Sequence, residues 1–336
     1  MNKNSLDLLR LLAATMVLFS HQYALLGLTE PSFMGWNTFG GVGVTVFFFL
    51  SGFLVWNSWK RDPDVRRFFL RRSLRIFPAL WVVCLLSVFL LGPMSTGLSL
   101  GDYFASTSTW RYLRTALLVS PNTLPEVFPG NPMPLLVNGS LWTLPVEYLC
   151  YVTVAVVGVG MLLVRRQYGL LLATSLLVVV LAATYGTLLV GDRFTPHLEM
   201  VAMFWWGVYY GNALEDRPAG PGLIVAVLAL LIFASLGSRS AERTAMLGLS
   251  VVLVHCFRLV SAGAWLTDKI GELSYGVYIF TFPVQQLVIS WGRGYQWEFD
   301  TYLTTSLLVT LCLAYLSGHV IEKRALFYKP STKEIT

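Results

Sequence analysis

Apolar runs of membrane-spanning length recur along the chain, separated by polar or basic connections. A bilayer core of ~30 Å takes about 20 largely apolar residues per helix, with about 17–25 tolerated. Runs of this kind lie at Leu11–Leu28, Gly40–Trp59, Ile76–Leu91, Leu141–Val164 and Tyr168–Val190, and again at Leu198–Leu214, Pro221–Gly237, Thr244–Val260, Leu273–Ile289 and Tyr302–Ile321. They predict an all-α, polytopic membrane bundle of about ten transmembrane helices, residues 1–336, in one domain. The first run follows a lysine, as in a signal peptide. It is long, however, carries His21 and Gln22, and lacks a small-x-small cleavage site, so it reads as a retained helix.

Composition narrows the class. The chain is 55% apolar and only 12% charged, with a mean hydropathy of +0.64. A soluble domain carries about 25% charged residues. An ordinary soluble enzyme, a disordered chain and a disulfide scaffold are thereby excluded. The four cysteines, Cys84, Cys150, Cys256 and Cys312, fall in separate apolar runs and read as buried, reduced residues. A net charge of +6 is too dilute for a nucleic-acid surface. Its placement is more informative. With a cytoplasmic N-terminus, eighteen of the 24 basic residues fall on inside segments and six outside. That bias predicts both termini in the cytoplasm.

One connection is long. Residues 92–140, on the outer side, contain Pro121, Pro125, Pro129, Pro132 and Pro134 with Trp110 and Tyr112. A segment of this size is either a lid or binding element or a loose loop; Leu113–Val119 has the pattern of a short helix within it. At the other end, residues 322–336 form a short cytoplasmic tail.

The few polar residues inside the apolar runs carry the candidate chemistry. In Arg10-x10-His21, eleven steps of 100° place both residues on nearly one helix face, about 16 Å apart along the axis. Arg10 then lies near the inner interface, held by Asp7 three residues earlier, and His21 in the outer half of the membrane. Glu147 lies early in the fourth run, by count about as deep below the outer surface as His21. A carboxylate there costs about 3 kcal/mol on insertion scales and needs a partner or a task. His21 is the expected partner, forming a His–carboxylate dyad. A structural hydrogen bond between helices, or a proton relay in a transporter, would use the same two residues. The basic stretch Arg66-Arg-Phe-Phe-Leu-Arg-Arg-Ser-Leu-Arg75 puts Arg71 and Arg75 one turn apart with Arg72 beside them. Guanidinium forks suit phosphate oxygens; a membrane anchor is the plainer alternative.

Other matches carry little. Gly97-Leu-Ser-Leu-Gly101 spells GxSxG without a strand-turn-helix context. Gly40-Gly-Val-Gly43 opens a membrane helix and implies no dinucleotide site. Those glycines, with Ser51-Gly52 and Gly207-x3-Gly211, fit close helix packing. Asn138-Gly-Ser140 spells a glycosylation sequon. No metal-ligand spacing stands out.

Taken together, these segments resemble the acyltransferase-3 family of ten-helix membrane acyltransferases. Leu6-Asp-Leu-Leu-Arg10 with His21 looks like its opening motif, and Gly41-Val-Gly-Val-Thr-Val-Phe-Phe-Phe-Leu-Ser-Gly-Phe53 resembles the motif on its second helix. Arg71-Arg-Ser-Leu-Arg-Ile-Phe-Pro78, Leu141-Trp-Thr-Leu-Pro-Val-Glu147, Leu273-Ser-Tyr-Gly-Val-Tyr278 and Ile321-Glu322 follow in the same order. Where many members carry a histidine this chain has Thr281, which argues against a second catalytic histidine there. With about a dozen residues after the last helix, a stand-alone transferase is expected. The resemblance implies an integral protein of the bacterial inner membrane. It would move an acyl group, most commonly acetyl from acetyl-CoA, to a hydroxyl of a cell-envelope glycan of O-antigen or exopolysaccharide type. Acetyl-CoA would be a substrate met on the cytoplasmic side, with no cofactor bound permanently. The roles implied are His21 as general base supported by Glu147, Arg10, Arg71, Arg72 and Arg75 for the CoA phosphates, and Trp142 and Tyr148 for the sugar.

Overall fold

The computed structural model describes residues 3–119, 122–164, 195–213, 239–259 and 272–330. Helix α1 (Lys3–Leu25) leads through a small hairpin, β1 (Ser32–Phe33) antiparallel to β2 (Asn37–Thr38), into α2 (Phe39–Arg61). The Thr38 hydroxyl caps α2 by accepting from the Gly41 amide at 3.0 Å. Asp62-Pro63-Asp64 ends α2 because the residue before a proline is pushed out of the helical region. Asp64 then caps α3 (Val65–Leu86) through the Arg67 amide at 2.8 Å. A π turn at Ser87–Leu91 and a last turn at Gly92–Ser95 prolong α3.

The outer segment is structured. It holds α4 (Leu100–Ala105), α5 (Thr107–Tyr112) and a 3₁₀ turn at Leu113–Leu117, where the sequence predicts a short helix. After a 3₁₀ turn at Gly139–Trp142 come α6 (Thr143–Val164), α7 (Thr195–Ala213), α8 (Arg239–Leu259), α9 (Ser274–Gly292) and α10 (Phe299–Ser317). A π turn at Gly318–Glu322 and α11 (Lys323–Phe327) follow. Eight of the predicted runs thus coincide with helices; those at Tyr168–Val190 and Pro221–Gly237 lie outside the described residues.

The fold is mostly helical. Among the described residues, five stretches are long and apolar enough to cross a membrane: Ser5–Leu25, Phe39–Arg61, Val65–Ser95, Gly139–Leu163 and Phe299–Phe327. Helix α9 is less apolar, since it carries Ser274, Thr281, Gln285 and Gln286, yet it is buried on nearly every face. Polar residues are tolerated there because each finds a partner inside the protein. Gln285 Nε2 donates to the Leu18 carbonyl at 2.8 Å and to Gln22 Oε1 at 3.1 Å, which ties α9 to α1.

Two glycines set the closest helix crossing. A Cβ on Gly52 of α2 would lie 1.9 Å from the Phe204 carbonyl oxygen of α7, and one on Gly207 of α7 would lie 2.0 Å from that of Phe49. The two backbones touch reciprocally, the close approach that small residues permit in membrane bundles. Two of the four cysteines depart from expectation. Cys84 and Cys150 are buried and unpaired, but Cys256 and Cys312 are exposed, on the outward faces of α8 and α10.

The proline-rich segment turns down into the bundle along α9. Asn131 Nδ2 donates to the Gln286 backbone and side-chain oxygens, both at 2.8 Å. Gln286 Nε2 returns bonds to the carbonyls of Met133 (2.8 Å) and Leu136 (2.7 Å). Asn138 Nδ2 donates to the Ile279 carbonyl at 2.8 Å, and the Tyr278 hydroxyl to that of Ser140 at 2.9 Å. From Gln286 to Tyr278 is eight residues, about 12 Å along the helix. Asn138 is therefore a buried strut rather than an accessible sequon, and α6 starts deep in the bundle.

Candidate active site

At the basic end, the four arginines expected to act together are held differently. Arg71 is 1% exposed and paired with Asp62, itself 2% exposed, which also takes a forked contact from Arg67. The Arg67 bond first, then Arg71, hold the Asp62 carboxyl down at about 2, against the opposing effect of its burial. Arg10 and Arg75 converge on Glu272, just before α9; Arg75 Nη1 lies 2.8 Å from Oε2, and both arginines reach Oε1. Burial opposes ionisation of Glu272, but Arg10 and Arg75 outweigh it and hold its carboxyl well below the usual carboxylate range. Glu272 takes the place of Asp7, the expected partner of Arg10.

Arg72 stands apart. Its Nη2 donates to Ser58 Oγ at 3.3 Å, and its guanidinium lies 6.0 Å from the Phe68 ring centre and 5.9 Å from that of Tyr151. Its Nε is buried without a partner, and no described carboxylate bonds to it. Of the four arginines, it is the one that forms no ion pair with a described carboxylate.

Above this end lies a small, partly open cavity, lined by Arg10, Ser51, Thr143, Glu147, Tyr275 and Tyr278 with apolar side chains of α2 and α6. Glu147 and Arg10 both line it. Ser51 Oγ donates to Glu147 Oε1 at 2.7 Å, and the Tyr151 hydroxyl to the same oxygen at 2.6 Å. The expected bond between Glu147 and His21 is not formed. Because the segment before α6 descends along α9, Glu147 sits lower in the bundle than its count from the outer surface implies.

His21 lies higher on α1, with its ring edge-on to Phe282 at 5.4 Å. Its Nδ1 is buried without a hydrogen-bond partner. Phe282 is one turn above Tyr278 on α9, so the cavity and His21 are neighbours along that helix. Thr281 Oγ1 bonds back to the Val277 carbonyl at 2.6 Å, within its own helix. Neither Trp142 nor Tyr148 lines the cavity. The Trp142 ring packs on His197 at 4.9 Å, and Tyr148 packs against Phe69, Phe77 and Tyr151. Ser99 of the GxSxG match is a helix cap bonded to Asp102, not a nucleophile.

Sequence reading missed Ser51, Tyr151, Glu272, Tyr275 and Tyr278. Ser51 reads as a packing residue beside Gly52, although a hydroxyl in an unbroken apolar helix is a signal in itself. Glu272 adjoins a recognised motif, but its partners lie 197 and 262 positions away.

Comparison with known proteins decides the class. Residues 3–319 match the family of the acyltransferase domain, acyltransferase-3. The chain belongs to this family. It is an O-acyltransferase. An O-acetyl transferase of Shigella phage Sf6 is 30% identical to it over 332 residues, covering 96% of each chain. Nodulation protein 10 of Rhizobium leguminosarum bv. viciae is 30% identical over 370 residues, covering 98% of this acyltransferase and 95% of the relative. The exopolysaccharide production protein ExoZ of Rhizobium meliloti (strain 1021) is 29% identical over 266 residues, covering 74% and 77%. No solved structure matches the chain. The acyltransferase-3 membership places His21 and Glu147 in an enzyme and sets aside the transporter reading.

Proposed function

We propose that this acyltransferase moves an acetyl group from acetyl-CoA, met at the basic, cytoplasmic end, to a hydroxyl of a cell-surface polysaccharide or glycolipid in the bacterial inner membrane. The observation that carries the reading is the cavity that Arg10 and Glu147 line together. It lies between a basic end with an arginine outside any described ion pair and a histidine with an unpartnered ring nitrogen. The printed names of the relatives, an O-acetyl transferase and an exopolysaccharide production protein, support acetyl as the group and a glycan as the acceptor.

In this reading Arg72 is the first contact for the CoA phosphates, with Arg10 and Arg75 adding positive potential and Arg71 serving as scaffold. The pantetheine arm passes through the cavity and carries the thioester toward His21. His21, as a neutral imidazole, takes the proton of the acceptor hydroxyl as that oxygen forms its bond to the thioester carbon. The carbon–sulfur bond then breaks, and the leaving thiolate recovers the proton from the imidazolium. Glu147 supports the reaction from the cavity below, held by Ser51 and Tyr151 rather than by a bond to His21.

The test is direct. Purified protein given acetyl-CoA and a glycan acceptor should release free CoA in step with a gain of one acetyl mass per modified sugar. CoA thioester that stays intact in the presence of acceptor would refute the reading.

A further inference from the structure

Both hydrogen bonds that Glu147 accepts fall on one oxygen. Ser51 Oγ reaches Oε1 from α2 and the Tyr151 hydroxyl reaches it from one turn along α6; among the described residues, Oε2 accepts none. Glu147 lines the cavity together with Arg10. The Tyr151 donor is not free to turn away, and the backbone that carries Ser51 is fixed. The Tyr151 ring is enclosed by Phe68, Tyr148, Phe204 and the Arg72 guanidinium. Ser51 precedes Gly52, where α2 is pressed against the α7 backbone. Oε2 is not among the buried polar atoms left without a partner, so it stays accessible from the cavity. Here the donors double up, and the second oxygen of a cavity-lining residue takes no bond from the described residues.

We propose that Ser51 and Tyr151 are positioning residues of the acyl transfer. They hold Oε1 of Glu147 and so present Oε2 to an O–H or N–H donor of the substrate in the cavity. This rests on the reading that Glu147 takes part in the reaction. Two donors on one oxygen fix the plane of the carboxyl group as well as its place, and a misplacement of about 1 Å can cost about 100-fold in rate. The hydroxyls act through Glu147 and touch no reacting atom.

The experiment uses the purified full-length protein with acetyl-CoA and glycan acceptor, comparing Ser51→Ala, Ser51→Thr, Tyr151→Phe, their double variant Ser51→Ala/Tyr151→Phe, and Glu147→Gln. Tyr151→Phe and Ser51→Ala should each lower kcat about tenfold while KM for acetyl-CoA stays within about twofold. The double variant should fall to the level of Glu147→Gln. Ser51→Thr, which keeps a hydroxyl, should recover most of the wild-type kcat. Wild-type kcat in Tyr151→Phe, a change confined to KM, or a Ser51→Thr as slow as Ser51→Ala would overturn the positioning role. If Tyr151→Phe fails to fold, the contrast between Ser51→Thr and Ser51→Ala decides alone. Wild-type kcat in Glu147→Gln would overturn the underlying reading of Glu147, an outcome distinct from failure of its two holders.

Discussion

Arg71 reaches back nine positions to Asp62, and the two side chains are almost wholly withdrawn from solvent, at 1% and 2% exposure. The same carboxylate holds Arg67, so one aspartate pins the turn between α2 and α3 and the first turns of α3.

Removing Asp62 should therefore destabilise the fold rather than the chemistry. Breaking a buried pair by deleting one partner costs about 3–5 kcal/mol. Asp62→Asn should lower the melting temperature in detergent by many degrees, and an unchanged melt would contradict the buried pair.

The same pair predicts a pH dependence. The folded-state Asp62 carboxyl lies at about 2 against an ordinary value of 3.8. A depressed folded value means that its contribution is fully present above about pH 4 and is lost as pH falls from about 4 toward 2. Wild-type protein should lose more stability than Asp62→Asn across that window; parallel curves would show that the carboxylate is not held down.

Arg71 and Arg72 are adjacent in sequence and opposite in expected effect. Arg72→Met should raise the apparent KM for acetyl-CoA about tenfold or more, the worth of a charge-assisted hydrogen bond of about 1.5–3 kcal/mol. Arg71→Met should lower the yield of folded protein and leave the donor KM of the folded fraction unchanged. A donor KM that responds to Arg71 and not to Arg72 would reverse the assignment.

The crossing of α2 and α7 predicts a contrast between glycines. Gly52→Ala and Gly207→Ala each place a Cβ about 2 Å from a carbonyl oxygen and should cost about 1–3 kcal/mol or more through forced backbone movement. A Cβ added at Gly160 of α6 would meet no described atom within 4 Å, so Gly160→Ala should be neutral or stabilising by up to about 1 kcal/mol. Thermal melts of the three variants check this, and equal effects would argue against the close crossing.

What the sequence reveals, and what it conceals, follows from the reach of each signal. Arg10 and His21 share one helix, so their face and separation follow from helical geometry alone. Gly52 and Gly207 also read correctly as packing residues, because little else explains glycine in an apolar helix. The partner of Glu147 is misread because depth is counted from the end of its apolar run. The bonds from Asn131, Gln286 and Asn138 that draw the start of α6 downward join positions more than 140 apart. Glu272 is hidden for the same reason: an ion pair between distant segments leaves no local pattern. Even the arginine cluster, legible as a cluster, gives no hint of which members the fold has already neutralised.

The proposed mechanism stands or falls on His21, whose unpartnered ring nitrogen beside the cavity takes the acceptor proton. Acetyl transfer by purified His21→Ala, with acetyl-CoA and glycan acceptor, should be compared with wild type at matched folded concentration. The expected result is a melting temperature close to wild type and a loss of transfer of at least about 100-fold, the scale of general-base catalysis. A His21→Ala protein that folds normally and transfers acetyl at the wild-type rate would refute a general-base role for His21.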